Sequence, residues 1–448
     1  MTVTAESMQT AQTATLSPAL KQATPVVVDH ALGSWIHGTD GNDYLDFTTG
    51  IGVTSTGHCH PRVVAAAQEQ CTKIIHAQYT TVMHPPLLEL TEKLGHVLPL
   101  GLDSVFYANS GSEAVEAAIR LARMATARPN IVVFQGGFHG RTVAAASLTT
   151  AGTKFSAGFS PLMAGVHMSP FPYAYRYGWD TDTAVDFALR ELDYLLLSRV
   201  APNDTAAFLI EPVLGDGGYL PTPPRFLQGL RERADRHGIL LILDEVQAGF
   251  GRTGKFWGHQ HADSDSSRRS TGPLTPDILI TAKGLASGFP ISAIAASTEL
   301  MSKAWPGSQG GTYGGNAVAA AAAVATIDVI QDENLVDNAR VRGEQMLAGL
   351  RDIASRFEAI GDVRGLGLMA GIEFVASGDG ATPVPDAAAA AAVQQATTRH
   401  GLLTLTCGPA GNVVRLIPAL VVTEDEIAMG LERFAAALSD VLPRDTLG

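Results

Sequence analysis

Five short apolar runs limit what this chain can become more than any other feature: Val105-Phe106-Tyr107, Ile131-Val132-Val133-Phe134, Phe208-Leu209-Ile210, Ile239 to Leu243 and Ile278-Leu279-Ile280. A strand with one wet face alternates apolar and polar side chains, and these runs do not alternate. Both of their faces must therefore be covered. Segments with helical spacing lie between them, and that alternation predicts an α/β fold around a mainly parallel sheet. Each run stops at polar or glycine-rich residues. In an open α/β sheet ligands collect at the carboxyl ends of the strands, so those stops are where chemistry is expected.

A chain of 448 residues that is 46% hydrophobic can bury a large core and carry a second, smaller unit. The pattern predicts a disordered or extended tail over residues 1–24 and an N-terminal segment over 25–60 that joins the small domain. A large domain is expected over 61–316 and a small α+β domain over 317–448. Within the N-terminal segment, Ser34 to Phe47 has strand character, broken by turn chemistry at Asp40-Gly41-Asn42. Past Ala317, Leu335, Ala339, Met346, Leu350 and Ile353 keep to one helical face. Val363 to Phe374 and Val413 to Leu420 read as strands, and Thr423 with Glu426 makes a capping box for a last helix. The polar stretch Ala262 to Thr275 reads as a surface loop without internal order.

Several functions are disfavoured by composition. With 31 basic against 44 acidic residues the net charge is -13, which opposes nucleic acid and anionic membrane surfaces as partners and favours small molecules. Met1 to Pro25 has one basic residue, Lys21, and no apolar core of the kind a signal peptide needs. The run Ala317 to Ile327 is too short and too alanine-rich to span a bilayer. Cys59, Cys71 and Cys407 make no CxxC spacing and leave an odd thiol, as suits a reducing cytoplasm. His58-Cys59-His60 lacks a second cluster at ligand spacing, so no metal is expected.

The residues at the strand ends carry the chemistry. Lys283 follows Ile278 to Ala282 and precedes Gly284, where desolvation would lower its pKa, as a Schiff-base lysine requires. A solvated surface lysine is the plain alternative. Asp244 ends the Ile239 to Leu243 run; a carboxylate buried there needs a cationic partner, which a pyridinium nitrogen supplies, whereas a strand-end cap needs none. Ser110-Gly111-Ser112 stands between a strand and a long helical pattern, an anion site for a phosphate or a simple serine cap. Phe138 and Arg141, in Gly136-Gly137-Phe138-His139-Gly140-Arg141-Thr142, offer a ring to stack and a fork for a carboxylate. His139 reads as a hydrogen-bonded histidine lining the same place.

Together, Asn109-Ser110-Gly111-Ser112-Glu113-Ala114, Phe138-His139-Gly140-Arg141-Thr142, Leu243-Asp244-Glu245-Val246-Gln247, Gly249-Phe250-Gly251-Arg252-Thr253-Gly254 and Lys283-Gly284-Leu285 resemble the class III aminotransferases. The resemblance runs from Gly50-Ile51-Gly52 to Val414-Arg415-Leu416-Ile417-Pro418. It implies the fold-type I architecture, with a seven-stranded-type sheet, pyridoxal 5'-phosphate on Lys283, and a homodimer that builds each active site from both chains; pairing of dimers into tetramers stays open. By position, Ser110, Gly111 and Ser112 would hold the phosphate, Phe138 would stack on the ring beside His139, and Asp244 would pair with the ring nitrogen. Val246 would pack on the other face, Gln247 near the ring hydroxyl, and Thr312 would reach the phosphate of the neighbouring chain.

Ile51, Arg141, Glu211 and Arg415 resemble the substrate set of 4-aminobutyrate aminotransferases, which take an ω-amino acid donor and a 2-oxo acid acceptor, 2-oxoglutarate. An arginine that meets a second carboxylate only in one half-reaction needs a movable partner in the other. Glu211 would play that part for Arg415, with Arg141 on the distal carboxylate. The same residues occur in acetylornithine and ornithine aminotransferases, and pyruvate is an alternative acceptor. An aminomutase of the same fold is disfavoured by Arg252 and by the Glu211 with Arg415 set. A relative that binds the cofactor without catalysis would not need Lys283, Asp244 and the phosphate loop intact.

Overall fold

The computed structural model describes residues 16–264, 273–376 and 382–442. Residues 1–15 of the expected tail and 265–272 of the polar stretch lie outside the described residues. A seven-stranded sheet forms the centre, in the order Ser104–Ala108, Ser292–Ala296, Ile278–Thr281, Leu240–Asp244, Thr205–Ile210, Asn130–Phe134, Val166–Ser169. Its members are parallel except Ser292–Ala296, which runs antiparallel to both neighbours.

The two-sided burial of the apolar runs has a direct cause. Ile131, Val133, Ile242, Ile278 and Ile280 face the helix Gly111–Thr126. Their chain neighbours Val132, Phe134, Leu241 and Leu243 face the helices Thr181–Ser198 and Pro224–His237. Successive side chains of a strand point to opposite faces, so a strand covered on both has no polar position to spare. The helix Gly111–Thr126 begins where it does because Ser110 and Glu113 close a capping box.

The N-terminal strands Val28–Leu32, Trp35–Gly38 and Asp43–Asp46 form a meander whose last strand pairs, in parallel, with Leu402–Leu403 near the C-terminus. A second sheet in the C-terminal part joins Ile360–Leu366, Met369–Ala376, Val413–Leu416 and Leu405–Cys407, with Val384–Pro385 added to Met369–Ala376. The helix Leu335–Ala354 covers it and buries Leu335, Ala339, Met346, Leu350 and Ile353. Thr423 and Glu426 close the capping box of the last helix, Glu424–Val441. The helix Ala317–Asp332 rests on Pro61–Cys71 and Pro85–Val97, and one apolar cluster runs from the central sheet into the C-terminal sheet. Among the described residues no helix is long and apolar enough to cross a membrane.

Two local expectations are corrected. The strand beginning at Val413 ends at Leu416, not Leu420, because the chain then leaves the sheet: Ile417 N–H donates to Phe47 O at 2.9 Å and Leu420 N–H to Ser55 O at 2.8 Å. The ends of the polar stretch are not loose either. Ala262 and Leu274 are buried, and Leu274 N–H donates to the Asp263 carboxylate at 2.7 Å.

Gly343 in the Leu335–Ala354 helix lies directly against the backbone of Gly367, at the turn between two strands of the C-terminal sheet. Alanine would gain about 1 kcal/mol of helix propensity. Its methyl group, however, meets backbone that cannot rotate away, and overpacking costs about 1–3 kcal/mol. Gly343→Ala should therefore destabilise the protein by up to about 2 kcal/mol in urea unfolding; a stabilised variant would show that the hairpin yields.

Candidate active site

The carboxyl ends of five parallel strands and the loops that follow enclose a cavity of about 290 Å³. Ser110, Gly111, Ser112, Phe138, His139, Glu211, Asp244, Val246, Gln247 and Lys283 all line it. Lys283 comes two residues after the Ile278–Thr281 strand with φ of +40°, a conformation costly for a side-chain-bearing residue, and this turns its amine back over the sheet edge. Desolvation lowers its pKa; Arg415 adds to that, while Asp216, Glu211 and Asp244 oppose it.

Asp244 closes the neighbouring strand and is 4% exposed. One oxygen accepts from Val246 N–H at 3.1 Å, and the other is 2.8 Å from His139 Nδ1. The far ring nitrogen of His139, Nε2, is buried without a partner. His139 is thus the hydrogen-bonded histidine expected from sequence, and its bond is to the key carboxylate. Gly111 stands so close to Val246 that a Cβ there would meet the valine methyl at 3.2 Å, so glycine is what lets the anion loop lie against that side chain. Ser110 accepts from Glu113 N–H at 3.3 Å, so its hydroxyl caps the helix, while Ser112 Oγ accepts from Arg141 N–H at 3.2 Å.

Phe138 forms one wall, with its ring edge-on to Phe155 at 4.9 Å between centroids. Glu211, 5% exposed, accepts from Phe138 N–H at 2.8 Å and from Gly215 N–H at 3.0 Å. Burial chiefly pushes its carboxyl up to about 7, with the Asp244 charge adding and His139 opposing.

The expected pairing of Glu211 with Arg415 is not what the structure contains. Both Glu211 oxygens are engaged by backbone N–H groups, and Arg415 Nη1 instead meets Asp216 Oδ1 at 3.1 Å. Arg415 is 5% exposed, with its guanidinium 5.8 Å from the Tyr219 ring centroid. Asp216 lines the cavity and was missed; the signal for it was a lone carboxylate in Gly215-Asp216-Gly217-Gly218 just past a buried strand. Arg252 is buried and donates to Pro418 O, so it staples loops and does not face the cavity. Ile51, Arg141 and Thr312 are exposed on the single chain and do not line the cavity. His58 and His60 bond to Asp46 at 2.8 Å and Glu333 at 3.1 Å, which accounts for both.

Residues 17–438 match the family Aminotransferase class-III. The chain belongs to it. A 5-aminovalerate aminotransferase of Pseudomonas putida, DavT, is 38% identical over 96% of this chain and 97% of its own length. The 4-aminobutyrate aminotransferase GabT of Escherichia coli is 37% identical over 92% and 93%. Among solved structures, an (S)-enantioselective omega-transaminase from Thermomicrobium roseum superposes with a TM-score of 0.89 at 30% identity, covering 98% of this chain and 99% of that one. An amine transaminase from an uncultivated Pseudomonas species, solved in its PLP-bound form, gives 0.86 at 28% identity over 96% and 99%.

This class III aminotransferase uses pyridoxal 5'-phosphate. The residues present fit that group. Asp244 is a buried carboxylate on the cavity wall, bonded to Val246 N–H and His139, and among the described residues Gln247 Oε1 is a buried acceptor without a donor. A ring with a protonated nitrogen and a hydroxyl completes both. Borohydride reduction and peptide mapping of the holoenzyme should place the cofactor on Lys283; a label on Lys255 or Lys303 would contradict this site.

Glu211 gives a pH test. Its folded value near 7 lies above the ordinary 4.5, so the stability contributed by the neutral carboxyl is complete below 4.5 and is lost as pH rises through about 7. In cofactor-free enzyme the wild type should lose stability relative to Glu211→Gln across that window in urea titrations. A difference that does not vary with pH would refute the burial effect.

Proposed function

We propose that this aminotransferase moves the amino group of an ω-amino acid, 4-aminobutyrate or its longer homologue 5-aminovalerate, to 2-oxoglutarate in two half-reactions at one site. The observation that carries this reading is the buried Arg415 with a carboxylate partner, Asp216, poised on the cavity wall. The names and identities of the relatives support it.

The two half-reactions pose opposite demands. An ω-amino acid brings one carboxylate, and Arg415 must then stay neutralised within the protein, because an unpaired buried charge is costly. Asp216 does this. 2-Oxoglutarate brings two carboxylates, and Asp216 must yield Arg415 to the one next to the oxo group. Arg141 holds the distal carboxylate in both cases. Glu211 has its oxygens committed to Phe138 and Gly215 N–H groups, so it shapes the loop that presents Asp216.

Pyridoxal phosphate, when bound, supplies the electron sink that makes loss of a proton from the amine-bearing carbon feasible. Lys283 moves that proton: desolvation lowers its pKa from the ordinary lysine value, which favours the neutral amine that can accept it. Asp244 favours the protonated ring nitrogen, and His139 keeps the carboxylate oriented toward it. Phe138 and Val246, both on the cavity wall, would hold the ring, and the N-terminus of the Gly111–Thr126 helix with Ser112 would receive the phosphate. Thr312, exposed on the single chain, completes the phosphate site of a second copy, which makes the working enzyme a homodimer.

Single-turnover kinetics separate these roles. Arg415→Ala should weaken 2-oxoglutarate and glutamate by about ten- to a hundredfold, the worth of a charge-assisted pair, and affect 4-aminobutyrate less. Asp216→Ser should bias the enzyme the other way, penalising donors that leave Arg415 unpaired. A large preference of the wild type for ornithine or acetylornithine over 4-aminobutyrate would overturn the choice of donor.

A further inference from the structure

We propose that Lys154 is a specificity-determining residue: with Arg141 it forms a two-cation subsite for the distal carboxylate of the substrate at the mouth of the Lys283 cavity. This deepens the functional reading above and rests on its claim that the substrates carry such a carboxylate.

The geometry centres on Phe155. Its ring is 5% exposed, with the Arg141 guanidinium carbon 5.0 Å and the Lys154 ammonium 4.9 Å from its centroid. The same ring meets Phe138 at 4.9 Å, and Phe138 lines the cavity. Both cations thus stand one ring away from the cavity wall. Lys154 also lies beside the turn that precedes the strand of Arg415: a Cβ on Gly152 would be 3.9 Å from the Lys154 stem and 3.9 Å from Pro409 Cα.

Neither cation has a carboxylate partner among the described residues, and both side chains are exposed. Two like charges, each about 5 Å from one ring centroid and neither with an anionic partner among the described residues, form half of an ion cluster. An incoming carboxylate completes it. The setting sharpens the effect, because the molecule as a whole carries -13 and repels anions. Screening limits that repulsion to about 8 Å at physiological salt, so at the last stage of approach the charges around the mouth decide. The ring contact with Phe155 holds the ammonium in place through cation–π attraction while leaving its hydrogen-bond donors free.

The test compares substrates that differ in charge, using holoenzyme at low and high salt. In Lys154→Gln, KM for the dianion 2-oxoglutarate should rise about two- to fivefold at low salt, the range for an exposed charge pair, and the effect should shrink at high salt. KM for pyruvate, which lacks the distal carboxylate, should change less, as should KM for butylamine relative to 4-aminobutyrate. Lys154→Arg should restore wild-type values. Lys154→Met keeps the apolar stem on Phe155 and removes the charge, so it should behave like Lys154→Gln. Equal KM changes for 2-oxoglutarate and pyruvate, or wild-type behaviour of Lys154→Met, would overturn the proposal. If wild-type enzyme used butylamine as well as 4-aminobutyrate, the donor assignment would fail, and the two acceptors would still decide the role of Lys154.

Discussion

A carboxylate that is 4% exposed at the end of a central strand sets the terms for the rest of the site. Asp244 cannot be held there as an anion by the strand alone. Its protein partners are one backbone N–H and one imidazole nitrogen, and its remaining capacity faces the cavity. A buried charge in this position is tolerable only if something cationic completes it. On the proposed function the ring nitrogen of the cofactor would do so, and the same pairing that relieves the protein would activate the cofactor. The neighbouring strand delivers Lys283 to the same edge, because parallel strands end together and their following residues converge.

Much of this was legible in the chain because the signals were redundant. The apolar runs gave the two-sided sheet, and alternate residues of Ile131 to Phe134 do divide between helices on opposite faces. Strand ends then named Lys283, Asp244 and the Ser110 to Ser112 turn without any contact information. The antiparallel strand Ser292–Ala296 escaped because Ser-Ala-Ile-Ala-Ala has no distinctive pattern, being small residues wedged between two larger strands. Val166–Ser169 escaped for the opposite reason: an edge strand with Met168 exposed lacks the two-sided run.

The misplaced partner of Arg415 has a different origin. The resemblance to 4-aminobutyrate aminotransferases pointed to Glu211 and passed over Asp216, five positions on. What decides between them is backbone demand. The loops after Phe134 and Ile210 leave the N–H groups of Phe138 and Gly215 pointing inward, and a two-oxygen acceptor at Glu211 satisfies both. That requirement is created by tertiary structure and leaves no periodicity in the chain. Asp216, set among glycines, is left to face the cavity.

Arg415 and Arg141 differ in a way that suits the tasks proposed for them. Arg415 is 5% exposed and paired; Arg141 is exposed, bears on the Phe155 ring, and has no anionic partner among the described residues. A buried arginine without a partner would be penalised in every state that lacks a ligand, so Arg415 must carry its own counter-charge and can release it only in exchange for another. An exposed arginine is hydrated and suffers no such penalty, so in the proposed role Arg141 would wait unpaired for the carboxylate common to donor and acceptor. Depth below the surface therefore sorts the two contacts. On the proposed function the shallow one would be constant across both half-reactions, and the deep one would have to switch. A site that reversed the two depths would meet the invariant carboxylate with the arginine that is costly to leave free, and the variable carboxylate with the one least able to discriminate.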